Sequence, residues 1–116
     1  MPSMRHQRVR ELLKRTLAEI LRREIDTNEC GLVNINEVGV ANDLKSAMVF
    51  VGIVGNTTQR KKAEAKLKKE RTYFQQLMAR EVVLRYTPKI KFRVDDSIEA
   101  GNRVLEIIKE LETDLE

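Results

Sequence analysis

The side chains with chemistry to offer in this chain are cations, and they fall into three sets. Lys89, Lys91 and Arg93 alternate with Ile90, Phe92 and Val94. That two-residue period puts three positive groups on one face of a strand and three apolar groups on the other. Arg8, Arg15 and Arg22 recur seven apart, along one side of a helix. Lys61, Lys62, Lys66, Lys68, Lys69 and Arg71 crowd a single short segment. Clustered ammonium and guanidinium groups neutralise phosphates and release their counterions, so the chemistry on offer is polyanion binding. The plainer alternative is a set of solvated faces with no partner.

Catalytic chemistry has little to build on. His6 is the only histidine and stands in a segment expected to fray, which argues against a metal or triad role. Cys30 precedes Gly31 and has no second cysteine, so it reads as a small residue in a turn. Asp95 and Asp96 resemble a carboxylate pair, but ending a strand and capping the next helix explains them better. No glycine-rich phosphate loop leads into Lys-Ser/Thr. The expectation is no enzyme, no metal, no cofactor and no small-molecule substrate.

The elements that must position the cations follow from periodicity. Val9, Leu12, Leu13, Thr16, Leu17 and Ile20 predict an amphipathic helix over about 7–25, with Arg8, Arg15 and Arg22 on its back. Asp26, Thr27, Asn28 and Gly31 break it. A strand over 32–40 follows, whose alternation slips: Val33 and Ile35 share one face, Val38 and Val40 the other. A bulge near Asn36–Glu37 would reconcile the two. Residues 45–54 form a second strand, apolar on both faces and therefore central. Asn56-Thr57-Thr58 matches a glycosylation acceptor, but reads as a polar loop. A long helix over about 60–85 carries Ala63, Leu67, Phe74, Leu77 and Met78 inward, with Glu70 and Glu81 intruding on the stripe. A carboxylate there needs a partner, a place at the edge, or a break in the helix. Pro88 opens the third strand. A last helix runs from about Ile98, its start capped by Asp96 or Ser97 with Glu99 reaching back.

The order helix-strand-strand-helix-strand-helix predicts an α+β fold, a three-stranded mixed sheet with helices on one face. At 116 residues, with no internal repeat or linker, one domain over 1–116 is expected. Only 4% of residues are aromatic and none is Trp, so the core must be aliphatic. The longest apolar run is too short for a membrane span, the N-terminal residues are basic rather than signal-like, and one cysteine fits a reducing compartment. The cytoplasm is the expected location.

Net charge of +4 hides strong segregation. Residues 1–25 balance at +4, 26–59 at −3, 60–93 at +9 and 94–116 at −6. A basic middle beside acidic flanks suits a polyanion on one side of the molecule.

In these residues the chain resembles the ribosome-binding factor A family. Arg5, Arg8 and Val9 begin the match. Asp43-Leu44-Lys45-Ser46-Ala47-Met48-Val49-Phe50-Val51 follows the family's D-L-x-x-A-x-V-x-V pattern. Arg85, Pro88, Ile90, Phe92, Asp95, Ser97, Glu99, Gly101 and Arg103 close it. The resemblance implies a type II KH-like domain with a kinked long helix, nucleic acid being held at the kink. It implies a monomeric, non-catalytic factor that binds the small ribosomal subunit and its rRNA during late maturation. It also favours the first and long helices as the RNA side: Arg5, Arg8, Arg15, Lys61, Lys62, Lys66, Lys68, Lys69, Arg71, Tyr73, Arg80 and Arg85. Tyr73 is there either a stacking ring or a half-buried one.

The chain departs from the family in three places. Glu70-Arg71-Thr72 replaces the Ala-x-Gly kink, so either a kink at those residues or a continuous curved helix is open. Thr27-Asn28-Glu29 replaces an Asp-Pro-Arg turn. The basic extension many relatives carry past the last helix has no match. Two other readings stay open: a general KH-type RNA chaperone, and an adaptor that holds another protein. The strand cations are expected on the outer sheet face, away from the helical ones.

Overall fold

The computed structural model describes residues 4–95. The apolar stripe of helix α1, Met4–Glu24, buries Val9, Leu13, Leu17, Ile20 and Leu21. It also buries His6, whose imidazole Nε2 is hydrogen-bonded to the carbonyl of Val40. The start of α1 is therefore pinned to the sheet rather than frayed. His6 is a core histidine, not a candidate ligand.

The turn expected after α1 contains a single helical turn, α2, Thr27–Cys30. Asp26 makes it, its carboxylate accepting the Asn28 N–H at 2.9 Å. Gly31 ends it at φ 70°. A Cβ there would sit 2.5 Å from the Val54 carbonyl oxygen, so only glycine fits.

Strand β1, Leu32–Val40, pairs antiparallel with β2, Ser46–Val54, and the register slips between Ile35 and Glu37. Asn36 is thus the extra residue of the expected bulge. It restores the inward direction: Val33 and Ile35 before it, and Val38 and Val40 after it, all meet the helices. Strand β3, Lys89–Val94, pairs parallel with β2, leaving β2 central. The sheet is mixed and the core beneath the helices is aliphatic, apart from Phe74 and Phe92, which meet edge to face at 5.8 Å.

The long helix differs most from its prediction. It starts at Thr57, because Asn56 caps it: Asn56 Oδ1 accepts the Gln59 N–H, and Gln59 Oε1 accepts the Asn56 N–H. The apparent glycosylation triplet is a helix start. It then divides into α3, Thr57–Lys69, and α4, Arg71–Glu81. It ends at Glu81, four residues short of the expected Arg85, and Val82 after it is extended at φ −112° and ψ 141°. The β-branched pair Val82-Val83 favours that change. The helix expected from Ile98, with its cap at Asp96, Ser97 and Glu99, lies outside the described residues.

Candidate nucleic-acid interface

The break between α3 and α4 falls on Glu70, at φ −103° and ψ 19°. Both angles have left the helical range, but φ stays negative, so an L-residue can occupy the position without glycine. The ladder is barely interrupted. Glu70 N–H still donates to the Lys66 carbonyl at 2.8 Å, and its own carbonyl accepts from Phe74 at 3.0 Å. Lys66 Nζ meets the Glu70 carboxylate at 2.9 Å, which accounts for the acidic side chain in the stripe. That carboxylate raises the pKa of Lys66, mainly through their hydrogen bond. Glu81, the second intruder, lies 2.9 Å from Arg23 of α1.

Just past the break, Arg71 Nη1 donates to the Ile90 carbonyl at 3.2 Å. One turn on, Gln75 grips the same strand twice. Its Nε2 donates to the Pro88 carbonyl at 2.8 Å, and its Oε1 accepts the Ile90 N–H at 2.7 Å. These bonds set β3 against the bend and cover the strand's outer edge at Ile90. Lys89 and Asp95 turn their N–H groups inward, to the carbonyls of Lys45 and Val51. Alternation therefore directs the backbone of Phe92 and Val94 outward, as at Ile90.

Between this strand edge and the bend runs an open groove of about 650 Å³. Lys68 and Arg71 line its helix side and Lys91 and Arg93 its strand side, with Leu67, Phe92 and Val94 as apolar lining. Glu64 is the one carboxylate among the described lining residues. Four cations against one anion suit a phosphate backbone, and an outward-facing strand backbone can hydrogen-bond base edges. Expecting the strand cations far from the helical ones was wrong for Lys91 and Arg93. At an edge strand, outward side chains still border the groove beside it.

The other expected residues are spread more widely. Lys61, Lys62 and Lys69 are exposed on α3, and Arg80 on α4. Lys66 is engaged with Glu70. Arg8 and Arg15 are exposed on α1. Tyr73 donates its hydroxyl to Glu24 at 2.5 Å, which ties α4 to α1 and raises the phenol's pKa. Its ring remains 42% exposed. Arg5 and Arg85 line a separate pocket with Asn42, Lys45 and Tyr86. Lys91, Arg93 and Gln75 were not among the expected site residues. The alternation of β3 marked the two cations, but the sequence does not say which strand edge the bend approaches. Among the described residues no three His, Cys, Asp or Glu side chains are grouped to hold a metal.

Known proteins resemble this chain over most of its length. The family model described as ribosome-binding factor A matches residues 5–108. The ribosome-binding factor A of Halothermothrix orenii is 37% identical over 116 residues, covering 100% of this chain and 95% of its own. The crystal structure of ribosome-binding factor A from Thermus thermophilus superposes with a TM-score of 0.64 at 22% identity, over 76% of this chain and 92% of that one. A homology model of the Thermus thermophilus factor, fitted into the cryo-EM map of a 30S complex, gives a TM-score of 0.61 at 24% identity, over 72% and 88%.

Proposed function

The chain belongs to the ribosome-binding factor A family, and from that premise we propose that it is a non-catalytic assembly factor acting in the cytoplasm as a monomer. It docks on the small ribosomal subunit and its rRNA during late maturation. The relative fitted into a 30S complex supports the choice of partner. The observation that carries the reading is the groove: Lys68, Arg71, Lys91 and Arg93 converge where the helix bends beside an outward-facing strand edge.

Mechanistically, Arg71 and Gln75 hold β3 at a fixed offset from the bend, so the cations are arranged before RNA arrives. A strand of rRNA lies along them, its phosphates against Lys68 and Lys91. A factor that binds an immature rRNA conformation better than the mature one shifts the population toward it, and leaves as the subunit matures.

The test reverses three exposed groove charges, Lys68→Glu, Lys91→Glu and Arg93→Glu, in one protein. Arg71 is left intact because it supports β3. Co-sedimentation with free small subunits should be abolished, while the thermal unfolding midpoint stays within a few degrees of the parent. Undiminished co-sedimentation rejects the groove. Equal competition by bulk single-stranded RNA would favour a general chaperone instead.

A further inference from the structure

A second pocket lies at the opposite end of β3 from the groove mouth, where three separate segments meet. The first turn of α1 brings Arg5, the β1–β2 turn brings Asn42 and Lys45, and the α4–β3 loop brings Arg85 and Tyr86. Its volume is about 400 Å³, within the range of small-ligand sites. The floor is apolar: Val9 is buried, and Leu44 and Leu84 pack on the core. Above that floor stand three cations and one carboxylate, Asp43. The Asp43 side chain faces its own turn, Oδ1 accepting the Lys45 N–H at 3.0 Å.

Two features there are costly unless they serve something. Leu44 sits at φ 63°, the only non-glycine residue with positive φ among the described residues. A branched side chain in that region is strained, and the hydrogen bonds of the Leu44 N–H to the Ala41 carbonyl and of the Lys45 N–H to Asp43 hold it there. Tyr86 is 69% exposed, with the Arg85 guanidinium 5.5 Å from its ring centroid. A solvent-facing aromatic beside an arginine, over an apolar floor ringed by cations, matches what an unpaired base and its flanking phosphates require. Tyr73, the ring weighed for stacking in the sequence, is instead tethered to Glu24.

We propose that this pocket is a second nucleotide site, in which Tyr86 stacks on one unpaired base of single-stranded RNA while Lys45, Arg85 and Arg5 hold the adjoining phosphates. The proposal rests on the RNA-binding reading but concerns a different surface. Lys91 lies five positions after Tyr86, at most about 18 Å of extended chain, so one RNA strand can serve both sites.

The sequence supplies its own probe, because it holds two tyrosines and no Trp. In a Tyr73→Phe protein all tyrosine emission comes from Tyr86. The full chain carrying that change is titrated with 3′-fluorescein-labelled hexa-adenylate, following label anisotropy, and with the unlabelled hexamer, following tyrosine emission. N-acetyl-tyrosinamide corrects for absorption by adenine. The expected result is saturable loss of Tyr86 emission in step with the rise in anisotropy. That loss persists in the Lys68→Glu/Lys91→Glu/Arg93→Glu background and disappears in Lys45→Ala/Arg85→Ala, with unchanged thermal unfolding in each. A rise in anisotropy with no change in emission overturns this site and leaves the RNA-binding reading standing. No rise in anisotropy also overturns this site, while the RNA-binding reading then stands or falls on co-sedimentation with free small subunits.

Discussion

Individual side chains show how far residue type alone can mislead. His6 and Cys30 are the two residues a search for reactive groups finds first, and both are structural. His6 joins α1 to β1, and Cys30 is 3% exposed at the end of α2. Burial is the main reason the Cys30 thiol is raised above its usual pKa. A raised thiol keeps less thiolate at neutral pH, and burial blocks access to it. Native protein at pH 7 should therefore react with iodoacetamide at least tenfold more slowly than protein in urea; equal rates would show Cys30 to be exposed. Tyr73 makes the opposite point. Its hydrogen bond to the Glu24 carboxylate favours the neutral phenol and lifts its pKa. An acid whose folded pKa is raised contributes stability below its unfolded value, near pH 10, and loses it as pH climbs through the folded value. In a Tyr86→Phe protein the ultraviolet titration of Tyr73 should move to lower pH when Glu24→Gln is added. An unmoved midpoint would mean that the bond does not form in solution.

The bend illustrates what an element requires rather than what a motif prescribes. The resemblance implied an Ala-x-Gly kink, where this chain has Glu70-Arg71-Thr72. The backbone at Glu70 keeps negative φ and both flanking hydrogen bonds, so the glycine-only region is never entered. The Lys66–Glu70 pair is a partly exposed i,i+4 contact, worth about 0.2–0.5 kcal/mol. Glu70→Ala should then lower stability by no more than about 0.5 kcal/mol in urea unfolding, with the bend retained. A loss of several times that would make the ion pair, not the backbone, the source of the bend. Periodicity made α1, the bulge at Asn36 and the central β2 legible in advance, because each leaves a local mark in which residues are apolar. The short helix at Thr27 left no such mark, and Glu70 and Glu81, intruding on the apolar stripe, marked the split and the stop only as one option beside a partner or a place at the stripe's edge. Each depends on a capping bond or a dihedral that several residue types can satisfy.

At the scale of the whole molecule, charge segregation was legible and its geometry was not. The basic stretch 60–93 balances at +9, yet its cations divide among the groove, the outer side of α3 and the pocket beside Tyr86. Which of them converge depends on β3 running parallel to β2 and on Arg71 and Gln75 anchoring its edge, contacts between residues distant in sequence. Among the described residues, Lys66 and Arg23 are paired with neighbouring carboxylates. The groove keeps four cations against Glu64.

The central claim is that these groove cations meet phosphates, and the salt dependence of RNA affinity measures that directly. Four phosphate contacts on single-stranded RNA predict that log affinity falls against log salt with a slope of about −3. Reversing Lys68, Lys91 and Arg93 should lower the affinity and make that slope shallower, leaving only what phosphate contacts outside the groove contribute. A slope that is the same in the parent and the triple variant would contradict the account.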